Sequence, residues 1–175
     1  HVYDYKISLA KNWNLISVPL VSQDDNTSIS NVLSGINGNY NAVWSYQNGS
    51  WKVYQPSGPA SLSKVVPGYG YYINMTSSDV LYNNGDKMYG DGIFQPPIVS
   101  LTPSWNLIGH YGIRESIAKS DALKTLDGNY ATLLDINGNS ISSLDSGVGY
   151  WLFVTGSSNR DYAPSDADYA SPDVS

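Results

Sequence analysis

The chain contains no cysteine. Disulfides, thiolate metal sites and cysteine nucleophiles are excluded together, so packing and hydrogen bonds must hold whatever fold forms. Charge is scarce as well. Only 14% of residues are charged, and nine Lys and Arg stand against fifteen acids for a net charge of -6; long solvated helices need more than this. The basic residues are spread singly along the chain, which leaves no stripe to release counterions from a phosphate backbone. Nucleic acid is effectively excluded as a partner, and the same balance argues against anionic membrane surfaces. No run of about eighteen apolar residues occurs and no charged-then-apolar leader is present, so the chain as given is expected neither to insert into a membrane nor to retain a signal peptide. Histidine is nearly absent too: the internal one is His110. An acyl-transfer triad needs such a base beside its nucleophile.

What is present points to strands. Hydrophobic residues make up 41% of 175, with 15 Tyr and 5 Trp, enough for one generous domain or two compact ones. Sixteen Gly and nine Pro, in groups such as PSGP, VPG, NNG and DG, cut the chain into short segments, the habit of β proteins rich in turns. A Tyr-, Ser-, Asn- and Gly-rich chain with one glutamate, Glu115, has the composition of an extracellular protein.

The chain also repeats itself. Trp13-Asn14-Leu15-Ile16 returns as Trp105-Asn106-Leu107-Ile108, 92 positions on; Gly38-Asn39-Tyr40 returns as Gly128-Asn129-Tyr130 after 90; and Gly68-Tyr69-Gly70-Tyr71-Tyr72 returns as Gly147-Val148-Gly149-Tyr150-Trp151 after 79. The falling offsets place two extra residues near Asp24 and about eleven near 55–66 in the first copy, both as loops. Apolar residues at Ile29, Val32, Leu33 and Ile36 follow polar capping candidates and predict a helix over 27–36. Its counterpart over 119–126 starts with Lys119 where Ile29 stood, so it is expected to be more exposed there. Residues 40–54 read as a hairpin about Gln47-Asn48-Gly49 and 130–144 as one about Asn137-Gly138-Asn139. Strands over 69–75 and 148–155 follow glycine pairs, and 80–82 reads as a short final strand. These elements predict a mainly β fold of two tandem, pseudo-repeated sandwich- or barrel-like modules, each with one short helix. The first module spans 1–92 and the second 93–164, with the join around 92–97 stiffened by Pro96-Pro97, and 165–175 is a linker or arm.

The order WNLISVPL, short helix, GNYNAVWSYQNGSWKVY, PGYGYYINM resembles a module with the pattern GWNLISLP, YDAVWxY, PGKGYWI. That module occurs, often in tandem, in large secreted and surface-layer-associated proteins of archaea and some bacteria. The resemblance implies an extracellular structural or adhesive role and brings no catalytic residues or cofactor with it. The second copy departs from the pattern, with His110-Tyr111 for Val18-Pro19 and Leu134-Asp135-Ile136 for Trp44-Ser45-Tyr46.

Candidate sites follow from residue type. His110 replaces a strand valine and reads as a half-buried or surface structural residue rather than a base. The acids sit singly in turns, which leaves a degenerate hydrolase as a distant reading. Asp135, Asn137 and Asn139 alternate as calcium-loop oxygens do, but without the later bidentate Glu, and a hairpin turn explains them equally. Trp44 and Tyr46 share a strand face, which the hairpin could extend to Trp51, and the three could stack on sugar rings, as in a carbohydrate-binding module of a secreted enzyme. The second copy puts Leu134, Ile136 and Ile141 there, so Trp44 and Trp51 read as mainly core, while Tyr54, Tyr71 and Tyr72 are open to either reading. Asn26, Asn48 and Asn74 open N-glycosylation sequons, of which Asn48, on a hairpin tip, is expected to be the most accessible. Expected partners are further copies or neighbouring modules of the same surface protein, and glycans. Unprotected sheet edges and the terminal segments 1–4 and 165–175 are the expected means of self-assembly.

Overall fold

A computed structural model describes residues 3–22, 26–87, 98–113 and 116–163. The join at 92–97, the loop at Asp24 and the arm at 165–175 lie outside the described residues, as does Glu115. The fold is mainly β, in antiparallel pairs.

The first half runs β1 (Tyr3–Leu9), β2 (Asn12–Ile16), β3 (Leu20–Val21), α1 (Ile29–Val32), β4 (Tyr40–Gln47), β5 (Ser50–Tyr54), β6 (Tyr71–Met75) and β7 (Asp79–Lys87). Two sheets result, β2-β6-β4-β5 and β1-β7-β3. Strand β6, YYINM, alternates buried and half-buried residues, because successive side chains on a strand point to opposite faces. Tyr71, Ile73 and Met75 point inward. With Val43 of β4, Ile7 and Leu9 of β1, Leu81 of β7, and Ile29, Leu33 and Ile36, they form one core.

The second half runs β8 (Val99–Leu101), β9 (Ser104–Gly109), β10 (Ile117–Ala118), α2 (Lys119–Ala122), β11 (Tyr130–Leu134), β12 (Ser143–Leu144), β13 (Gly149–Val154) and β14 (Arg160–Tyr162). Its sheets are β9-β13-β11, β10-β12 and β8-β14. A second core gathers Ile108, Leu123, Leu126, Leu133, Tyr150, Leu152, Val154 and Tyr162, and half-buried Tyr69 packs against both cores.

Several expectations are corrected by this arrangement. The helix over 27–36 is one α-turn followed by a 3-10 turn, Ser34–Ile36, and 119–126 divides in the same way, with Lys124–Leu126 as its 3-10 turn. Ser28 does not cap its helix with its side chain; its hydroxyl donates to Asn26 Oδ1 at 2.7 Å. Lys119 is half-buried where Ile29 is buried, as expected from the exchange. The second hairpin shrinks to a single bridge, Leu134 to Ser140, because β12 leaves β11 to pair with β10. The short strand expected at 80–82 is nine residues long, Asp79–Lys87, since β1 pairs along it from Leu9 to Tyr3. His110 is fully buried rather than half-buried or exposed.

The two halves meet through backbone. Ile16 bridges Val148 and Tyr69 bridges Ile108. The N–H of Ser17 donates to Gly147 O at 3.1 Å, and that of Gly109 donates to Gly68 O at 3.1 Å. Ser17 and Gly109 themselves lie so close that a Cβ on Gly109 would come within 2.1 Å of Ser17 Cβ. Only glycine fits there.

Candidate functional site

The outward faces of β2-β6-β4-β5 and β9-β13-β11 carry the side chains that alternate with the core. On the first sheet Trp13 lies opposite Asn74, Tyr72 lies between Leu15 and Trp44, and Tyr46 lies opposite Trp51. On the second, Trp105 lies opposite Phe153, and Trp151 lies between Leu107 and Leu134. All five tryptophans of the chain are therefore on this side. The faces are continuous: Trp151 Nε1–H donates to Tyr72 Oη at 2.7 Å, and Trp151 ring centres lie 5.7 Å from Tyr46 and 5.8 Å from Trp51.

Ring geometry explains how such a face holds its shape. Trp13 meets Tyr72 at 83° and 6.3 Å, Trp44 meets Trp51 at 81° and 6.2 Å, and Trp105 meets Phe153 at 81° and 5.2 Å. Edge-to-face contact sets the positive rim of one ring against the negative face of the next, adding about 0.5–1.5 kcal/mol per pair to simple burial. Leu15 and Leu107 share the strand phase of the rings but are buried, Leu15 against Gly149 and Leu107 against Gly70 of the opposite half, and belong to neither core cluster. Trp13 and Trp51 are still 49% and 48% exposed. The cluster is a braced but open surface, with one depression lined by Trp13, Trp44, Trp51 and Tyr72 and another by Tyr46, Trp51, Trp105, Leu134 and Trp151.

The reading of Trp44 and Trp51 as mainly core is thus corrected. It rested on aliphatic residues replacing them in the second copy, and Leu134 and Ile136 also face outward, Ile136 at 41% exposure. Tyr71 is core, Tyr72 belongs to the outer face, and Tyr54 packs against the first core. Sequence reasoning missed Trp13, Trp105, Trp151 and Phe153. The signal was there: in β2, β9 and β13 these rings occupy the strand phase opposite to the core residues.

Beside Trp13 and Trp44 the surface turns polar. Asn41, Gln55 and Asn74 line a shallow pocket with both tryptophans. Asn41 sits at the bulge of β4 between Tyr40 and Ala42, where an extra residue re-aims its neighbours. No hydrogen bond within the described chain engages the side-chain amides of these three residues.

Elsewhere, the Asp135 carboxylate is engaged in its own turn: Oδ1 accepts the N–H of Asn137 and of Asn139, each at 2.9 Å. No group of three or more His, Asp or Glu is placed to hold a metal among the described residues. No helix there is long and apolar enough to cross a membrane. Asn48 is exposed at the β4–β5 tip, Asn26 is exposed with its Oδ1 accepting from Ser28, and Asn74 is half-buried on the aromatic face. No family model, curated protein or solved structure matches this chain.

Proposed function

We propose that this chain is an extracellular structural or adhesive module of a cell-surface protein, surface layer or filament, with no catalytic activity of its own. One observation carries the reading: five tryptophans gathered on the outer side of sheets whose inner sides already close two cores. Burying a core would not require them. Contiguous exposed apolar surface on an otherwise polar chain marks a contact surface, and its braced rings lose little freedom when contact is made.

The tandem reading is part of the proposal. The offsets of 92 and 79 exchange Ile16 with Ile108 and Tyr69 with Val148, so the two bridges between halves are one contact made twice. This supports the reading of modules 1–92 and 93–164 joined by an isologous junction, in which each contact occurs twice. A pair locked in this way makes a stiff unit for a layer or fibre, and the face, the sheet edges and the segment 165–175 are the means of joining units.

Sedimentation over a range of concentrations, and with envelope fragments from the source cells, tests the reading. The chain is expected to associate with itself or with the fragments. The Trp13→Ser/Trp51→Ser variant weakens association at a temperature where circular dichroism shows it folded, although loss of its ring contacts lowers the melting temperature by a few degrees; deletion of 165–175 weakens association without lowering the melting temperature. A chain that stays monomeric and unbound in both assays overturns it.

A further inference from the structure

We infer that the pocket between Trp13 and Trp44 is a binding site for a neutral pyranose chain; the inference rests on the adhesive reading and gives that surface a ligand. Aromatic rings and amides meet there in the combination that a sugar ring requires. The C–H face of a pyranose is apolar and stacks on an indole, while its equatorial hydroxyls both donate and accept around the rim. Trp13 and Trp44 supply the first surface, and Asn41, Gln55 and Asn74 supply the second. An amide side chain offers two donors and one carbonyl acceptor, which matches hydroxyls in either sense.

Three observations choose this occupant over others. Among the described residues no Asp, Glu, Lys or Arg lines the pocket, so a charged ligand would lose its hydration without gaining a counter-charge. The aromatic face of a second copy would cover amides that have no hydrogen-bond partner among the described residues, and covering a polar group without replacing its hydrogen bond to water is unfavourable. The rings are also pre-positioned, Trp44 against Trp51 and Trp13 against Tyr72. The other half supplies an internal contrast. Opposite Trp105 stands Phe153 where Asn74 stands opposite Trp13, Ala131 takes the place of Asn41, and Leu134 that of Trp44. The site therefore belongs to the first half alone.

The test uses the full chain made in a host without N-glycosylation, so that Asn74 stays bare. Calorimetric titration with neutral hexasaccharides (β-glucan, mannan, chitin and α-glucan) is run beside an acidic uronate oligomer. Saturable binding to at least one neutral chain is expected, with tryptophan fluorescence changing in step. Trp44→Ala and Asn41→Ala should each weaken it, Trp44→Ala by about tenfold, equivalent to about 1.4 kcal/mol, while Phe153→Ala leaves it within about twofold. Asn41 lies on the exposed bulge, so its variant keeps the fold even where a tryptophan variant does not. Absence of binding to every neutral chain, preference for the uronate, or equal loss on Phe153→Ala overturns the site. Concentration-dependent association lost in the Trp13→Ser/Trp51→Ser variant without any glycan binding also overturns it, and leaves the adhesive reading standing.

Discussion

Asn14 and Asn106 explain why the same four-residue phrase is written twice. Asn106 Oδ1 accepts the Thr102 N–H at 3.2 Å, and its Nδ2 donates to Thr102 O at 2.8 Å and Ser104 O at 3.1 Å. Asn14 makes the same three bonds to Ala10 and Asn12. Each amide closes the corner that leads into β9 or β2, where Ser104 and Asn12 hold positive φ angles of 78° and 79°. The echo was legible in the sequence, but its cause was not, since only the folded corner brings the amide to backbone groups four residues earlier. The two sites differ in exposure: Asn106 is buried and Asn14 is reached by water. Asn106→Ala is therefore expected to cost about 2–4 kcal/mol, from several lost bonds and stranded backbone groups, and Asn14→Ala about 1 kcal/mol. Denaturant unfolding of both variants checks the order as well as the size.

At the level of elements, local chemistry was readable where a turn decides the structure. Asn48 and Gly49 adopt φ of 53° and 77°, and β4 and β5 pair from Gln47–Ser50 to Val43–Tyr54. Two successive positive φ angles select Asn-Gly in a two-residue hairpin. Gly49→Val should cost roughly 1–2 kcal/mol, because a branched side chain is strained there whatever space surrounds it; thermal unfolding measures it, and Gly49→Asn should lose less. The second hairpin was not legible in the same way. Asn137-Gly138 does form its turn, but the following chain has a better partner in β10, and no local signal reports that competition. Similarly, the apolar spacing at 29, 32, 33 and 36 identified buried residues correctly and overstated the length of the helix, which yields to a 3-10 turn at Leu33. The aromatic face was misread for a reason of the same kind. Alternation tells which rings share a side of a strand, but which side is covered depends on partners far along the chain.

The whole molecule is stapled inside by buried phenols, and these set its alkaline limit. Burial, followed by the neighbouring Tyr54, raises Tyr40 from 10.0 to about 12; burial raises Tyr150 to about 12 against the opposing hydrogen bond from the Asp145 N–H; burial raises Tyr71 as well. The unfolded chain ionises these groups first, so their stabilisation is complete below pH about 10 and is lost as pH climbs towards about 12. Tyrosinate absorbance and circular dichroism are expected to change together in that window, the buried phenols ionising as the sheets unfold. The contact of Ser17 with Gly109 has a different kind of consequence, one of ancestry. Gly109→Ser should disrupt the junction by roughly 1–3 kcal/mol, as overpacking against the Ser17 side chain does, and adding Ser17→Gly should recover most of the loss in a double-mutant cycle. If the halves descend from one sequence, that ancestor cannot have carried serine at this place, for a symmetric pairing would have set serine against serine where there is room for one. On that descent glycine came first, and serine entered only one copy, after a single polypeptide had made the two sides free to differ.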